Sequence, residues 1–314
     1  MLPLLVVNPR SGGGRTGALF EQMRGPVEAA LGAFDVALTE RPRHAVDLAR
    51  EAALAGRETV IAVGGDGSIH EVVNGLMQAR DRGAGKTRLG VLGAGTGGDF
   101  RKSLGIEHRL DRYLAAIAGG KTRRIDVARL AYTTHAGERE AGFFVNILSV
   151  GLGGLVDRYV AEAGRTLGGT AAYFLASAKA LLESEVGVVA CTFHLGETVE
   201  QQELSTRNLA LCNGRFFGSG MEVAPMAKLD DGVLEVVDLG AAPRLKFALA
   251  SSRIYKGEHL KSPDVKHFRC DKAKLELLNR GVNARFLLDV DGEPLGTLPI
   301  EVELVNRALE VFVP

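Results

Sequence analysis

The feature that most limits what this chain can become is a repeated junction: a short apolar run that stops abruptly in glycines. Thr59–Val63 (TVIAV) leads directly into Gly64-Gly65-Asp66-Gly67-Ser68, and Arg88–Leu92 leads into Gly93-Ala94-Gly95-Thr96-Gly97-Gly98-Asp99-Phe100. The opening run, Leu2–Val7, ends in Asn8-Pro9-Arg10-Ser11-Gly12-Gly13-Gly14. Continuous apolar runs bounded by turn residues are the pattern of strands buried on both faces. Phe34–Leu38 adds another. Between them lie a helical stretch from Gly17 to about Leu31, with Leu19, Phe20, Met23, Val27 and Leu31 on one side, an alanine-rich stretch over Ala45–Ala55 and a further one over Ile69–Arg80. This alternation predicts right-handed βαβ units and a parallel sheet, with the loops that follow the strands gathered on one edge, where ligands of open α/β sheets bind.

Glycine-rich turns of this kind let backbone N–H groups converge on an anion, and a following helix adds the positive end of its dipole. Asp66 inside such a nest suits Mg²⁺ on a nucleotide, since a bare carboxylate would repel phosphate. The bland alternative is a tight turn with Asp66 or Ser68 as helix N-cap. Gly12, Gly14 and Gly17, with Glu40 after the second strand, imitate a dinucleotide fingerprint. The Asn8-Pro9-Arg10-Ser11 spacer and the two later glycine loops argue against an NAD-dependent oxidoreductase. No G-x-x-x-x-G-K-[ST] sequence is present, and the H-R-D and D-F-G elements of protein kinases are missing.

From about Ile125-Asp126 the texture changes to short alternating runs separated by turns such as Asp231-Gly232 and Asp291-Gly292, with helical insertions near 169–183 and 243–255. The expected fold is thus an α/β nucleotide-binding domain with a parallel sheet, residues 1–126, followed by an all-β sandwich domain, residues 127–304. Lys plus Arg and Asp plus Glu balance at 38 each, so the average composition carries no basic field for nucleic acid. Cys191, Cys212 and Cys270 are scattered and read as plain thiols in a reducing compartment. No run approaches the roughly 20 apolar residues of a membrane span. A cytoplasmic protein with at most peripheral membrane contact is expected.

Asn8-Pro9-Arg10-Ser11-Gly12, GGDGSIHEVVNGL at 64–76, GAGTGGDF at 93–100, FVNILSVGLGG at 144–154, NGRFFGSGMEVAPMAKLDDGVLEV at 213–236 and LDVDGEP at 288–294 together resemble the diacylglycerol kinase catalytic domain family. That family includes bacterial lipid kinases and sphingosine kinases and is distantly related to NAD kinases. The resemblance spans nearly the whole chain in order. It implies ATP and Mg²⁺ as cofactors, and a last strand, about 305–314, that returns to the first domain. Nucleotide contacts are implied at Asn8, Ser11, Gly12, Thr39, Gly65, Asp66, Gly67, Ser68, Ile69, His70, Glu71 and Thr96, with Asp99 helping to hold magnesium or phosphates. Asp66 would be catalytic, and the loop around Asp291 and Glu293 would supply the general base, Glu293 favoured. Lys228, Asp231 and Val233 match a second, structural magnesium site formed by one carboxylate and two backbone carbonyls. Read from the residues alone, Asp291-Gly292 is a hairpin turn and Asp230-Asp231-Gly232 an acidic one.

Two departures stand out: glycine at 98 and histidine at 70, where the family has asparagine. Arg101 or Lys102 would have to make up for the missing side chain at 98. The reading that follows is an ATP-dependent kinase acting on a lipid hydroxyl, diacylglycerol first, at a membrane surface, with no nucleic-acid partner and with a homodimer left open. The alternatives are an NAD kinase-like phosphotransferase and a catalytically weak lipid- or nucleotide-binding protein. Ala171–Leu182 and Phe216-Phe217 are candidate acyl contacts, though core packing explains the helix as well.

Overall fold

Runs with no polar alternation become central parallel strands. β1 (Leu4–Val7) and β3 (Thr59–Gly64) are buried throughout, β4 (Arg88–Gly93) nearly so, and β2 (Asp35–Leu38) is a half-exposed edge. The computed structural model describes residues 1–94, 98–163 and 169–314. The chain divides into two compact units, Met1–Val127 with Asn306–Pro314, and Ala128–Val305.

In the first unit the strand order is β2-β1-β3-β4, every pairing parallel. Residues 310 and 311 of the last strand pair parallel with Arg88 and Leu89. The helices are α1 (Ser11–Gly14), α2 (Thr16–Leu31), α3 (His44–Leu54), α4 (Asp66–Asp81), α5 (Asp99–Ser103) and α6 (Leu110–Ala118). α2 buries Phe20, Met23 and Val27, and α4 buries Ile69, Val72, Val73, Leu76 and Met77. These are the i, i+3, i+4, i+7 rows that a helix lays on a sheet. α6 is an addition to the sequence reading, which went straight from β4 to the change of texture. A long strand, β5 (Thr122–Thr134), leaves this unit for the next.

The second unit is antiparallel. Its strands are β6 (Arg139–Phe144), β7 (Ile147–Gly151), β8 (Gly187–Leu195), β9 (Thr198–Thr206), β10 (Asn208–Cys212), β11 (Phe216–Phe217), β12 (Met221–Glu222), β13 (Leu234–Asp238), β14 (Lys266–Cys270), β15 (Lys272–Leu277), β16 (Leu287–Val290) and β17 (Glu293–Phe312). Hydrogen bonding orders them β14-β13-β10-β7-β16-β17, then β15, β8 and β9 beyond β17. One core unites Leu148, Val150, Leu209, Leu211 and Leu288 with Val189, Phe193, Leu204 and Leu275 from the far strands, which is the interior of a sandwich. The last strand, expected over about 305–314, is the end of the longer strand β17, which pairs in turn with β16, β15 and β4.

α7 (Leu152–Ala163), α8 (Gly169–Glu183) and α9 (Arg244–Ile254) lie outside this sandwich. α7 was hidden in the sequence because it opens on glycines. Those glycines serve close approach: a Cβ on Gly153 would lie 2.3 Å from Ser149 Oγ, and one on Gly154 would lie 2.5 Å from Leu287 O. α8 packs on α7 through Ala176 and Ala180, beside Leu155, Val156 and Tyr159. Ala176 and Ala180 thus pack in the core, Leu175 and Leu182 of the same helix are exposed, and the side chains of residues 171–174 lie outside the described residues.

Candidate functional site

In the first unit the loops after β1, β3 and β4 stand side by side. Asn8 N–H bonds to Val63 O, and Ala94 N–H bonds to Gly64 O. In the first loop, Asn8 Oδ1 accepts from Arg10 N–H, and Ser11 Oγ contacts Asn8 O at 2.9 Å and Thr16 Oγ1 at 2.8 Å. Gly12, Gly13 and Gly14 then run through positive φ of 59°, 73° and 85°, a path that side-chain-bearing residues avoid. Thr39 is buried at the end of β2, with its N–H on Val7 O.

α4 begins at Gly65 without a side-chain cap, so the N–H groups of its first turn are left for another acceptor. Asp66 does not point outward as a lone carboxylate. Its Oδ2 accepts from Gly98 N–H (2.9 Å) and Asp99 N–H (3.0 Å), and its Oδ1 from Phe100 N–H (3.3 Å). It thereby caps α5 and ties the glycine loop after β3 to the loop after β4. Burial pushes its pKa up, with the Asp99 charge adding to the effect, while the three N–H donors hold it down. Asp99 is itself buried, with Lys102 Nζ 3.0 Å away.

The other members of the 65–71 run divide by helix face. Ile69 is a core residue, and His70 is buried with Nε2 3.3 Å from Asn74 Nδ2. Helical periodicity turns both side chains inward, where Ile69 also lines a small pocket with Gly64, Gly65, Gly93 and Gly98. Glu71 accepts from the N–H groups of Arg43 and Ala45, both at 3.1 Å, and so fixes the start of α3. Ser68 Oγ is buried and, among the described residues, has no partner. Space is open where a Cβ on Gly65 or Gly13 would stand. An uncapped helix, an unpartnered hydroxyl and open glycines fit a phosphate group. Of the two carboxylates there, Asp66 is taken up by backbone donors and Asp99 is paired with Lys102. Thr96 lies outside the described residues.

Gly98 has a physical reason. Its φ is +92°, and a Cβ there would lie 2.8 Å from Arg101 Nε and 3.1 Å from Arg101 Cγ and Cδ. The arginine occupies the volume that a side chain at 98 would need. Of the two residues expected to make up for the glycine, Arg101 fills the space and Lys102 pairs with Asp99.

In the second unit, Val290 pairs with Glu293 across a two-residue turn, with Asp291 at φ 54° and Gly292 at φ 88°. Positive φ at both positions is the type I′ hairpin. Asp291 Oδ2 accepts from Val145 N–H (3.0 Å), and Oδ1 from Asn146 N–H (2.9 Å) and Ile147 N–H (3.1 Å). Asn146 O in turn receives the N–H groups of Asn213 and Gly214, and Asn146 Nδ2 donates to Phe216 O. Asp291 is therefore a structural hub of the segments 145–147 and 213–216. Its two oxygens are thus engaged by three backbone donors. Asp231 Oδ1 accepts from Val233 N–H at 3.2 Å, closing the turn expected at a magnesium site. The carbonyls of Lys228 and Val233 carry the rest of that expectation. His259 donates from Nε2 to Val223 O at 2.9 Å, and burial lowers its pKa.

A cluster that sequence reading missed lies under α7. Asp289 faces away from the sandwich core beside its cross-strand partner Ser149, whose Oγ donates to Asp289 Oδ2 at 3.2 Å, and Gly292 N–H donates to Asp289 Oδ1 at 2.8 Å. Burial pushes the pKa of Asp157 of α7 up, the nearby Asp289 charge adds to this, and Asp157 Oδ2 is buried with no hydrogen-bond partner among the described residues. The signal was present, since Asp289 is a carboxylate among strand leucines, but its partner lies 132 residues away on a helix the sequence did not reveal. α9 covers a cavity of about 220 Å³ lined by Leu239, Phe247, Ala250, Ile254 and Val265.

Comparison with known proteins decides the family. Residues 3–130 match the diacylglycerol kinase catalytic domain, and residues 146–313, more than half the chain, match the YegS C-terminal NAD kinase beta sandwich-like domain. The chain belongs to the diacylglycerol kinase and YegS-like lipid kinase family. Among relatives in this family, the diacylglycerol kinase of Bacillus subtilis is 29% identical over 86% of this chain and 82% of its own length. The "Probable lipid kinase YegS-like" of Chromohalobacter salexigens is 34% identical over 61% of this chain and 57% of its own. A crystal structure of a diacylglycerol kinase from Bacillus anthracis superposes with a TM-score of 0.69 at 20% identity, covering 100% of this chain and 97% of that one. The family's two-part architecture, a mixed α/β domain and then a β-rich one, is the one described above. No helix among the described residues is long and apolar enough to cross a membrane.

Proposed function

We propose that this chain is an ATP-dependent kinase that transfers the γ-phosphoryl group to a hydroxyl of a lipid, with diacylglycerol as first acceptor. The observation that carries this reading is the uncapped N-terminus of α4, flanked by the glycine loops that Asp66 ties together. On this reading the first unit holds the nucleotide phosphates through Gly12, Gly65, Gly67 and Ser68, while Ser11, Thr39 and Glu71 hold the loops in shape. Mg²⁺, held by Asp99 with the phosphates, would offset charge on the transferring group. The structural cation would rest on Asp231 and the carbonyls of Lys228 and Val233.

Glu293 takes the proton of the acceptor hydroxyl as that oxygen bonds to the γ-phosphorus. The bond from γ-phosphorus to the bridging oxygen breaks, and ADP leaves beside a lipid phosphomonoester. The cavity under α9, with its apolar lining, suits part of an acyl chain.

Transfer of labelled γ-phosphate from ATP to a panel of lipids in mixed micelles, with and without Mg²⁺, tests the proposal. Mg²⁺-dependent labelling of one lipid, lost in Glu293→Gln, is the expected result. NAD belongs in the same panel because the matched C-terminal domain is NAD kinase-like. Labelling of NAD alone would replace the lipid as acceptor, and ATP binding with no transfer would make the chain a binding protein.

A further inference from the structure

α9 buries only Phe247 and Ile254, seven residues apart on one stripe. On the opposite side Leu245 and Leu249, one turn apart, are 75% and 72% exposed, and Tyr255 follows at 53%. The last turn of α8 adds Leu182 at 73%. It is tied to the start of α9, where Arg244 Nη2 donates to Ser184 O at 2.7 Å. Single exposed leucines are ordinary, but three with a tyrosine on adjoining turns form a contiguous apolar ridge, and such ridges on soluble surfaces mark contacts.

The charges around the ridge say what covers it. Residues 241–261 contain Arg244, Lys246, Arg253, Lys256 and Lys261 against a single acidic residue, Glu258, in a chain whose charges cancel overall; at the end of α8, Glu183 is hydrogen-bonded by Tyr159 and Glu185 is paired with Arg285. Lys246 also meets Asp264, at 2.6 Å. Leucines and a tyrosine set among lysines and arginines are complementary to an anionic lipid interface, where apolar side chains enter the acyl boundary and cations meet headgroups. A second copy of this surface would bring like charges together.

We propose that the outer face of α9, with the exposed end of α8, docks this chain on an anionic bilayer. The inference deepens the reading of the acceptor as a membrane lipid and rests on it for its purpose. Binding to a bilayer can nonetheless be measured without any transfer reaction. Leu249 of this ridge also lines the cavity, with Phe247, Ala250 and Ile254 of the same helix, so docking would bring a bilayer to it.

The test is co-sedimentation of the full chain with vesicles of phosphatidylcholine, alone or with phosphatidylserine. The variants are Leu182→Glu/Leu245→Glu and Lys256→Glu/Lys261→Glu, all at exposed positions outside the proposed catalytic machinery. Wild type should bind the phosphatidylserine vesicles and bind pure phosphatidylcholine weakly. Each double variant should lose binding by about tenfold or more with an unchanged melting temperature, and the charge-reversed pair should lose the phosphatidylserine dependence. Transfer to acceptor in vesicles should fall in parallel, while transfer to a short-chain, water-soluble acceptor stays at the wild-type rate. Equal vesicle binding by wild type and both variants would overturn the proposal. So would a wild-type dimer in lipid-free sedimentation that the leucine variant splits without affecting vesicle binding, since the occupant would then be a second copy. If no acceptor is phosphorylated in any format, the kinase reading fails, and the vesicle measurement still decides the docking surface.

Discussion

Asp157 on α7 and Asp289 on β16 form a buried pair of carboxyl groups, each of which shifts the other's titration. Burial pushes the pKa of Asp157 well above the usual carboxylate range, and the charges of Asp289 and Glu293 add to it. Asp289 is pushed up by burial to about 6 from 3.8. Two such groups titrate as a pair. A raised carboxyl pKa in the folded state means that the folded protein binds more protons than the unfolded chain. The stability this contributes is complete below the unfolded value near 3.8 and is lost as pH climbs through about 6 and beyond.

Asp157→Asn should remove that loss. An amide at 157 carries no charge at any pH, so the buried site no longer has to hold two carboxylates. Melting temperature against pH should fall for wild type as pH rises from about 4 through about 6 and beyond, and stay flatter for the variant, which becomes the more stable protein at the alkaline end. Parallel curves would show that the pair does not govern stability in this range.

Asp66→Ala should cost about 1–3 kcal/mol, because three backbone N–H groups under the glycine loops lose their acceptor. Hydrogen exchange at Gly98, Asp99 and Phe100 should accelerate together, and ATP affinity should drop even though Asp66 need not touch the nucleotide. Unchanged exchange at those three amides would remove the loop-tying role.

Gly98→Asn should destabilise the chain by roughly 1 kcal/mol, through the displaced Arg101 side chain more than through the left-handed backbone, which asparagine tolerates. Adding Arg101→Ala should recover most of the loss in a thermal or denaturant melt. If the double variant is no better than Gly98→Asn alone, the two residues do not share that volume.

Glu293→Gln and Asp291→Asn should separate chemistry from architecture. The first should lower kcat by about 10²–10⁴ with the melting temperature nearly unchanged. The second should cost about 1–3 kcal/mol of stability, since an amide cannot accept the N–H groups of residues 145, 146 and 147 with both ends. The reverse outcome would make Asp291 the proton acceptor.

Local sequence determined a good deal of this protein. The apolar runs Leu4–Val7 and Thr59–Val63 had to be strands buried on both faces, and the glycines after them had to turn the chain sharply. Helical spacing located α2, α3 and α4 to within a few residues, and Asp291-Gly292 encoded its own hairpin. Such features depend on contacts between near neighbours, which a pattern of 2 or 3.6 residues records.

Tertiary structure decided the rest, because it depended on partners distant in the chain. The polar edge strand β9 exists through its pairing with β8. α7 begins on glycines because β7 and β16 leave no room for a Cβ. Asp66 and Asp291 look from sequence like carboxylates offered to a ligand, and folding gives each of them three backbone donors. Glycine at 98 reads as a loss until Arg101 is found in its place. A carboxylate's role is set by what surrounds it, and in this fold the surroundings of Asp66 come from residues 98–100, those of Asp289 from Ser149 and Asp157, and those of Asp291 from residues 145–147.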